Sequence, residues 1–297
     1  MPDTVKYLSL FGRIRYNAFM EPFYVGVSAA AQAEAVYAEH AVPVYASADH
    51  AFSGLRETEL NEIDTSRPFG VLLNRLYRET ELQDLKEILN RLAEIRPERI
   101  WFADPAVLSL CDESMRRRLV YRPETLMTSC EDIRFWEETG IRGVTVSPLL
   151  TAEELYRIAE TEPGAEFVIH GHLLMSVSAR KLLSSWAKQY AVSLPDEPLY
   201  LKEETRNDRY PIRETAHGTM IFTDYVLESF DYIKPLAEHG ASAFYLDGAF
   251  LSDEHLISAL RLYQAILHHR EEPDSAAAWR KAHPECTEGY YGQETIL

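Results

Sequence analysis

Carboxylates, imidazoles and arginines stand at the ends of short apolar runs, where a chain leaves its core and a ligand can meet it. Asn74 and Arg75 follow the run that starts at Phe69, Asp104 the run from Arg99, and Glu124 the run from Leu119. Ser147 ends a fourth run, His170 and His172 a fifth, and Asp247 a sixth. Carboxylate and imidazole groups gathered at one mouth can transfer protons, and a guanidinium beside them holds a carboxylate. His170, Asp247 and Glu124 are therefore the candidate catalytic groups, with Asn74, Arg75, Asp104, Ser147 and His172 as candidates for binding. The competing reading is that strand ends are polar simply because they meet water.

His170-Gly171-His172 has the form of a metal-binding H-x-H, because alternate residues of an extended strand share a face. The barrel hydrolases that use this motif carry it on their first strand, with a lysine and further histidines. No such set is found here, so no metal is expected. No G-x-S-x-G elbow, H-E-x-x-H helix, P-loop or G-x-G-x-x-G turn occurs either. Cys111, Cys130 and Cys286 are widely spaced with no C-x-x-C pair, which removes the usual zinc, iron-sulfur and disulfide spacings. Cys111 and Cys130 read as small buried hydrophobes and the compartment as reducing.

The elements that must position these groups alternate regularly. Strand-length runs lie at Pro22–Ala29, Val42–Ala48, Phe69–Asn74, Arg99–Asp104, Leu119–Leu126, Gly143–Pro148, Glu166–Gly171 and Ala243–Gly248. Between and after them, Ala29–His40, Glu81–Ile95, Ser129–Thr139, Thr151–Glu160 and Asp253–Arg270 carry apolar residues at helical spacing. Eight strand-helix units predict an α/β fold, a (β/α)8 TIM-like barrel, with an open doubly wound sheet as the alternative. Residues 1–21 form an N-terminal extension, 22–270 the barrel domain and 271–297 a C-terminal tail. The interval of about 173–242 between strands 7 and 8 exceeds one crossover helix and must hold an insertion. Its polar stretch Glu203–Pro211 reads as loop and short hairpin.

At 297 residues, 46% apolar and 26% charged, the chain is long and apolar enough for a substantial core. The net charge of −17 repels polyanions, which argues against a free-standing nucleic-acid enzyme and against DNA. No apolar run reaches the roughly 20 residues of a membrane span, and the N-terminus lacks the order of a secretory signal. A cytoplasmic protein is expected.

The stretch Glu166–Ser184 (EFVIHGHLLMSVSARKLLS) resembles the hallmark segment of peptidase family U32, the collagenase-like proteins. That segment reads acidic-x-hydrophobic-x-H-G-x-x-C followed by S-G-x-C, and Glu166, His170, Gly171, Ser178, Leu183 and Ser184 match it. Downstream, ETRNDRYP, Gly218-Thr219, Thr223-Asp224, AFYLDG ending at Gly248, and TEGYYG follow the family order. The family's cluster-ligating cysteines are replaced by Leu174, Lys181 and Val226, and no cysteine lies between 131 and 285, so no iron-sulfur cluster is expected in this chain.

A short, cysteine-less branch of that family, reading H-G-x-x-x-M-x-x-S-x-R-x-L, is very similar here through Met175, Ser178 and Arg180. The resemblance implies a role in tRNA modification, the prephenate-dependent hydroxylation of the wobble uridine to 5-hydroxyuridine. It implies a longer cysteine-bearing paralogue as partner, with tRNA bound within that complex. It adds Gly171, Ser178, Arg180 and Gly248 to the binding candidates, and Arg56, Arg75 or Arg180 would meet a small carboxylic substrate. A non-catalytic scaffold subunit and a U32-type peptidase are the alternative expectations. The second lacks a recognised nucleophile, zinc set or paired-aspartate motif.

Overall fold

The computed structural model describes residues 23–123, 127–195, 198–202, 204–205 and 208–293. The expected extension 1–21 and the candidate catalytic residue Glu124 lie outside them.

The first half of the chain contains β1 (Phe23–Val27), α1 (Ala30–Ala38), β2 (Val42–Ser47), β3 (Glu57–Thr58), β4 (Gly70–Leu73) and α2 (Leu82–Ile95). It continues through β5 (Arg99–Phe102), α3 (Pro105–Leu110), α4 (Glu113–Arg116), β6 (Leu119–Tyr121), α5 (Cys130–Glu137), β7 (Gly143–Val146), α6 (Ala152–Thr161) and β8 (Ala165–His170). An insertion follows with β9 (Leu174–Ser178), α7 (Leu182–Tyr190), β10 (Leu199–Lys202), β11 (Arg209–Thr215) and β12 (Gly218–Phe222). The chain then runs through β13 (Val226–Leu227), α8 (Phe230–Glu238), β14 (Phe244–Leu246), α9 (Asp253–Leu267), α10 (Ser275–Ala282) and β15 (Cys286–Thr287).

Eight parallel strands form a ring in the order β1-β2-β4-β5-β6-β7-β8-β14, and β1 pairs with both β2 and β14, so the sheet is closed. That closure is the (β/α)8 barrel expected from the alternation, and it excludes the open doubly wound sheet. The helices form because their apolar residues recur on one face. Leu85, Leu89 and Leu92 of α2 are buried, and α2 stops where Arg96 turns left-handed. α5 and α6 begin with reciprocal capping boxes, Ser129 with Asp132 and Thr151 with Glu154.

Two cores result from the period-2 alternation of the strands. Phe23, Val25, Phe102, Phe167 and Phe244 face outward to the helices. Tyr24, Val44, Leu72, Trp101, Val120 and Tyr245 fill the barrel interior. Among the described residues, no helix is long and apolar enough to cross a membrane.

The insertion is more regular than a loop with a hairpin. The hairpin exists, with Leu199 opposite Ile212 and Lys202 opposite Arg209. It belongs, however, to a four-stranded antiparallel sheet of order β10-β11-β12-β9. The C-terminal segment is docked: β15 pairs with β13, and Tyr291, buried to 3% exposure, donates its hydroxyl to the Val168 carbonyl at 2.6 Å.

Candidate functional site at the barrel mouth

A cavity of about 890 Å³ opens at the C-terminal end of the barrel. Its polar lining includes Asn74, Arg122, Thr145, Ser147, His172 and Asp247, all at or next to strand ends. Phe52, Leu174, Met175, Tyr210 and Phe222 contribute an apolar and aromatic wall, largely from the insertion. Such a volume suits a small organic ligand held by a few polar groups.

Asp247 is fixed from both sides. Its backbone N–H donates to the His170 carbonyl at 2.8 Å, and its Oδ1 accepts from the Ala249 N–H at 2.9 Å. Its Oδ2 lies 3.7 Å from Nη2 of Arg122, whose guanidinium sits 4.1 Å over the Tyr245 ring. The two glycines beside it are close-approach positions. A Cβ on Gly171, whose φ is +118°, would come within 2.5 Å of the Asp247 carbonyl oxygen, and one on Gly248 within 2.3 Å of the Gly26 carbonyl oxygen.

Beneath the mouth, Glu166 is wholly buried inside the barrel. It pairs with Arg99 at 2.8 Å and accepts from Thr145 Oγ1 at 3.1 Å and from the Trp101 indole. Arg99 in turn lies 4.0 Å over the Tyr24 ring. This network closes the floor, satisfying two charges that would otherwise be costly to bury.

Of the expected site residues, Asp247, Ser147, His172 and Asn74 meet at the cavity. Asn74 is also a clamp: its amide donates to the Phe52 carbonyl at 3.0 Å and accepts from the Phe52 N–H at 2.9 Å, so it holds the loop that forms one wall. His172 donates Nδ1–H to the Thr223 carbonyl at 2.8 Å, and burial holds its pKa below the usual range despite that contact.

The expectation that His170 lines the mouth is corrected. The pairing of β8 with β14 shifts register so that Leu246 lies opposite His170, one residue beyond the simple alternation. This bulge reverses the parity that Glu166 and Val168 establish, and His170 turns outward into the helix layer. It is fully buried against Phe230, His255, Tyr263 and Trp279, and burial together with His255 keeps it neutral, well below the usual imidazole pKa. The left-handed Gly171 then returns His172 to the cavity side, so the two imidazoles of the H-x-H do not converge.

The remaining candidates are placed elsewhere. Arg75 is buried between barrel and insertion, pairing with Glu81 at 2.5 Å and donating to His217 Nδ1 at 2.9 Å. Asp104 caps α3 by accepting from the Ala106 N–H, and its other oxygen accepts from the Tyr77 N–H. Arg56 and Arg180 are exposed, and Ser178 Oγ accepts from the Arg180 N–H at 3.2 Å on the insertion sheet. None of these five lines the cavity. Cys111 is buried, with its thiol pushed up to about 12 by burial, so it is no thiolate nucleophile.

Sequence reasoning missed Arg122, Thr145 and the Arg99–Glu166 pair. The signal was available for Arg122, which stands two residues beyond the interior Val120 and must share its face. For the others, a single polar residue inside an apolar run is visible, but its partner on another strand is not.

A profile of peptidase family U32 matches residues 30–295. The tRNA hydroxylation protein P2 of Bacillus subtilis is 26% identical over 202 residues, which is 65% of this chain and 65% of that protein. The tRNA hydroxylation protein P of Escherichia coli is 26% identical over 123 residues, 40% of this chain and 27% of that protein. The matches therefore span less than two thirds of either relative. Among solved structures, the U32 peptidase Mk0906 aligns with a TM-score of 0.47 at 15% identity, covering 80% of this chain and 96% of that one.

Proposed function

Because the chain belongs to peptidase family U32, we propose that it is a subunit of the machinery that hydroxylates the wobble uridine of tRNA to 5-hydroxyuridine. In this reading it works in the cytoplasm with a longer, iron-sulfur-bearing paralogue and with prephenate as co-substrate. The observation that carries the reading is the mouth cavity, where Arg122, Asp247, Ser147, Thr145 and His172 converge within about 890 Å³. An arginine fork suits the carboxylates of a small acid, and the neighbouring hydroxyls and imidazole supply further hydrogen bonds. In this reading Asp247, oriented by the Ala249 N–H, accepts a proton or hydrogen bond from the ligand. The names of two curated relatives point to the same chemistry.

The remaining roles fall to the partner. A net charge of −17 disfavours phosphate binding by this chain alone, so the paralogue supplies most contacts to tRNA. Leu174, Lys181 and Val226 offer no thiolate at the family's cysteine positions, so the redox centre also belongs to the paralogue. Of the thirteen large apolar side chains exposed among the described residues, eight lie between Met175 and Leu201 on the insertion. That surface is a natural seat for another protein chain.

The test is nucleoside mass spectrometry of tRNA from a strain lacking the gene, complemented by wild type or Asp247→Ala, with affinity capture of the paralogue. Loss of 5-hydroxyuridine derivatives, restored only by wild type, together with co-purification of the paralogue is expected. Intact modification in the deletion strain overturns the proposal.

A further inference from the structure

Outside the mouth, a second cluster of chemically capable side chains lies on the barrel's flank, where the C-terminal segment crosses the start of α9. His255, Glu285 and Cys286 each offer a donor atom, and the three atoms lie within 4.8 Å of one another. His283 lies beside the group: Glu285 Oε1 is 3.4 Å from Nδ1 of His255 and also 3.4 Å from Nδ1 of His283. Cys286 Sγ is 4.0 Å from Nε2 of His255. We propose that His255, Glu285 and Cys286, with His283 beside Glu285, bind a zinc ion that ties the C-terminal segment to the barrel.

Three observations support the assignment. First, tetrahedral zinc with nitrogen and oxygen ligands at about 2.0–2.1 Å sets those donors roughly 3.3–3.4 Å apart, the spacing seen around Glu285. Imidazole, carboxylate and thiolate together are also a zinc-type donor set, whereas calcium and magnesium take oxygen.

Second, one tautomer of the paired histidines His170 and His255 turns a lone pair toward the carboxylate. The Tyr263 hydroxyl donates to the Ile169 carbonyl at 2.8 Å, so its oxygen accepts from His170 Nδ1 at 3.4 Å. His170 Nε2 is then an acceptor, and His255 Nε2–H donates to it at 3.0 Å. In that tautomer Nδ1 of His255 turns a lone pair toward Glu285 Oε1, 3.4 Å away, and a cation between them takes both, whereas the opposite tautomer hydrogen-bonds Glu285 directly. His170 thereby acts as the partner that fixes the tautomer of a ligating histidine, as carbonyls and carboxylates do at many zinc sites.

Third, the ligands are held from outside. Trp279 stacks on His283 with ring centroids 4.1 Å apart and donates its indole N–H to Ser258 Oγ at 2.9 Å. The Val226 N–H donates to the Glu285 carbonyl, and β15 continues that pairing with β13. The Leu227 N–H in turn donates to the carbonyl of Gly171, the residue packed against Asp247. The site thus braces the path from the tail to the mouth, and it stands independently of the proposed tRNA chemistry.

The experiment is zinc titration of tag-free, chelator-stripped full chain in competition with a chromophoric chelator, with cobalt(II) substitution read by its thiolate charge-transfer absorption. One equivalent of zinc and a thiolate band are expected, and Cys286→Ser and Glu285→Gln each weaken zinc at least tenfold. Cys111→Ser leaves affinity unchanged, and circular dichroism checks that each variant is folded. Failure to retain zinc against the chelator overturns the assignment. So does undiminished affinity in Cys286→Ser, which would mean adventitious binding by surface histidines.

Discussion

Arg122 and Asp247 face each other across the barrel mouth, Nη2 to Oδ2 at 3.7 Å, from the ends of β6 and β14, which are separated by two intervening strands. Neither is more than 8% exposed, so the pair sets opposite charges in the largely buried wall of the cavity. Removing one partner takes an opposite charge away from the other. Arg122→Met and Asp247→Asn are each expected to reduce tRNA 5-hydroxyuridine at least tenfold in complemented deletion strains, with protein levels near wild type. Nucleoside mass spectrometry with immunoblotting measures both, and undiminished modification in both variants would remove the pair from the site.

The floor of the cavity is expected to be a stability element. Glu166→Ala leaves Arg99 buried without its carboxylate and takes acceptors from Trp101 and Thr145. A loss of about 3–5 kcal/mol is expected from breaking such a pair. Urea unfolding of the purified chain checks it, and a change below about 1 kcal/mol would contradict the network's role.

His170 gives a contrasting expectation. Because it packs among Phe230, Tyr263 and Trp279 and not at the cavity, His170→Ala should cost about 2–4 kcal/mol in stability by leaving a void. Modification at a permissive temperature should persist. Complete loss of 5-hydroxyuridine with folding intact would return His170 to the catalytic set.

Gly171→Ala tests the coupling between backbone and site. A methyl at φ +118° would collide with the Asp247 carbonyl, so destabilisation of about 1–3 kcal/mol is expected, with weakened ligand binding at the mouth. Thermal unfolding with and without candidate carboxylic acids measures both effects. Wild-type values for each would show that the close approach is dispensable.

The stability of the chain should fall in mild acid. His50, half-buried beside Tyr77, is held down to about 4 by burial and by the neighbouring Arg75, with Asp49 opposing. The unfolded chain protonates this group near 6.5, so between about pH 6.5 and 4 it binds more protons than the folded one. Stability is full above that window and declines as pH falls through it. His50→Gln should flatten the melting temperature against pH, and an unchanged slope would assign the acid sensitivity to other groups.

Strand and helix positions were legible because burial writes its period into the residue types. Val42, Val44 and Ala46 alternate toward the barrel interior, and Leu85, Leu89 and Leu92 recur along α2. The eightfold alternation was enough to predict the closed barrel, and the strand-end rule named Asp247, Ser147, His172 and Asn74, which line its mouth cavity. The hidden facts depend on neighbours distant in sequence. Whether His170 faces the cavity or the helices is set by a register shift against β14, and no local pattern in β8 encodes its partner's register. Whether Asn74 meets a ligand or clamps a loop depends on Phe52. His255 and Cys286 have no recognisable spacing, yet the docked tail brings them together. Side-chain chemistry and periodicity are properties of the chain alone; which groups share a volume is decided by packing between elements, and only the folded barrel supplies it.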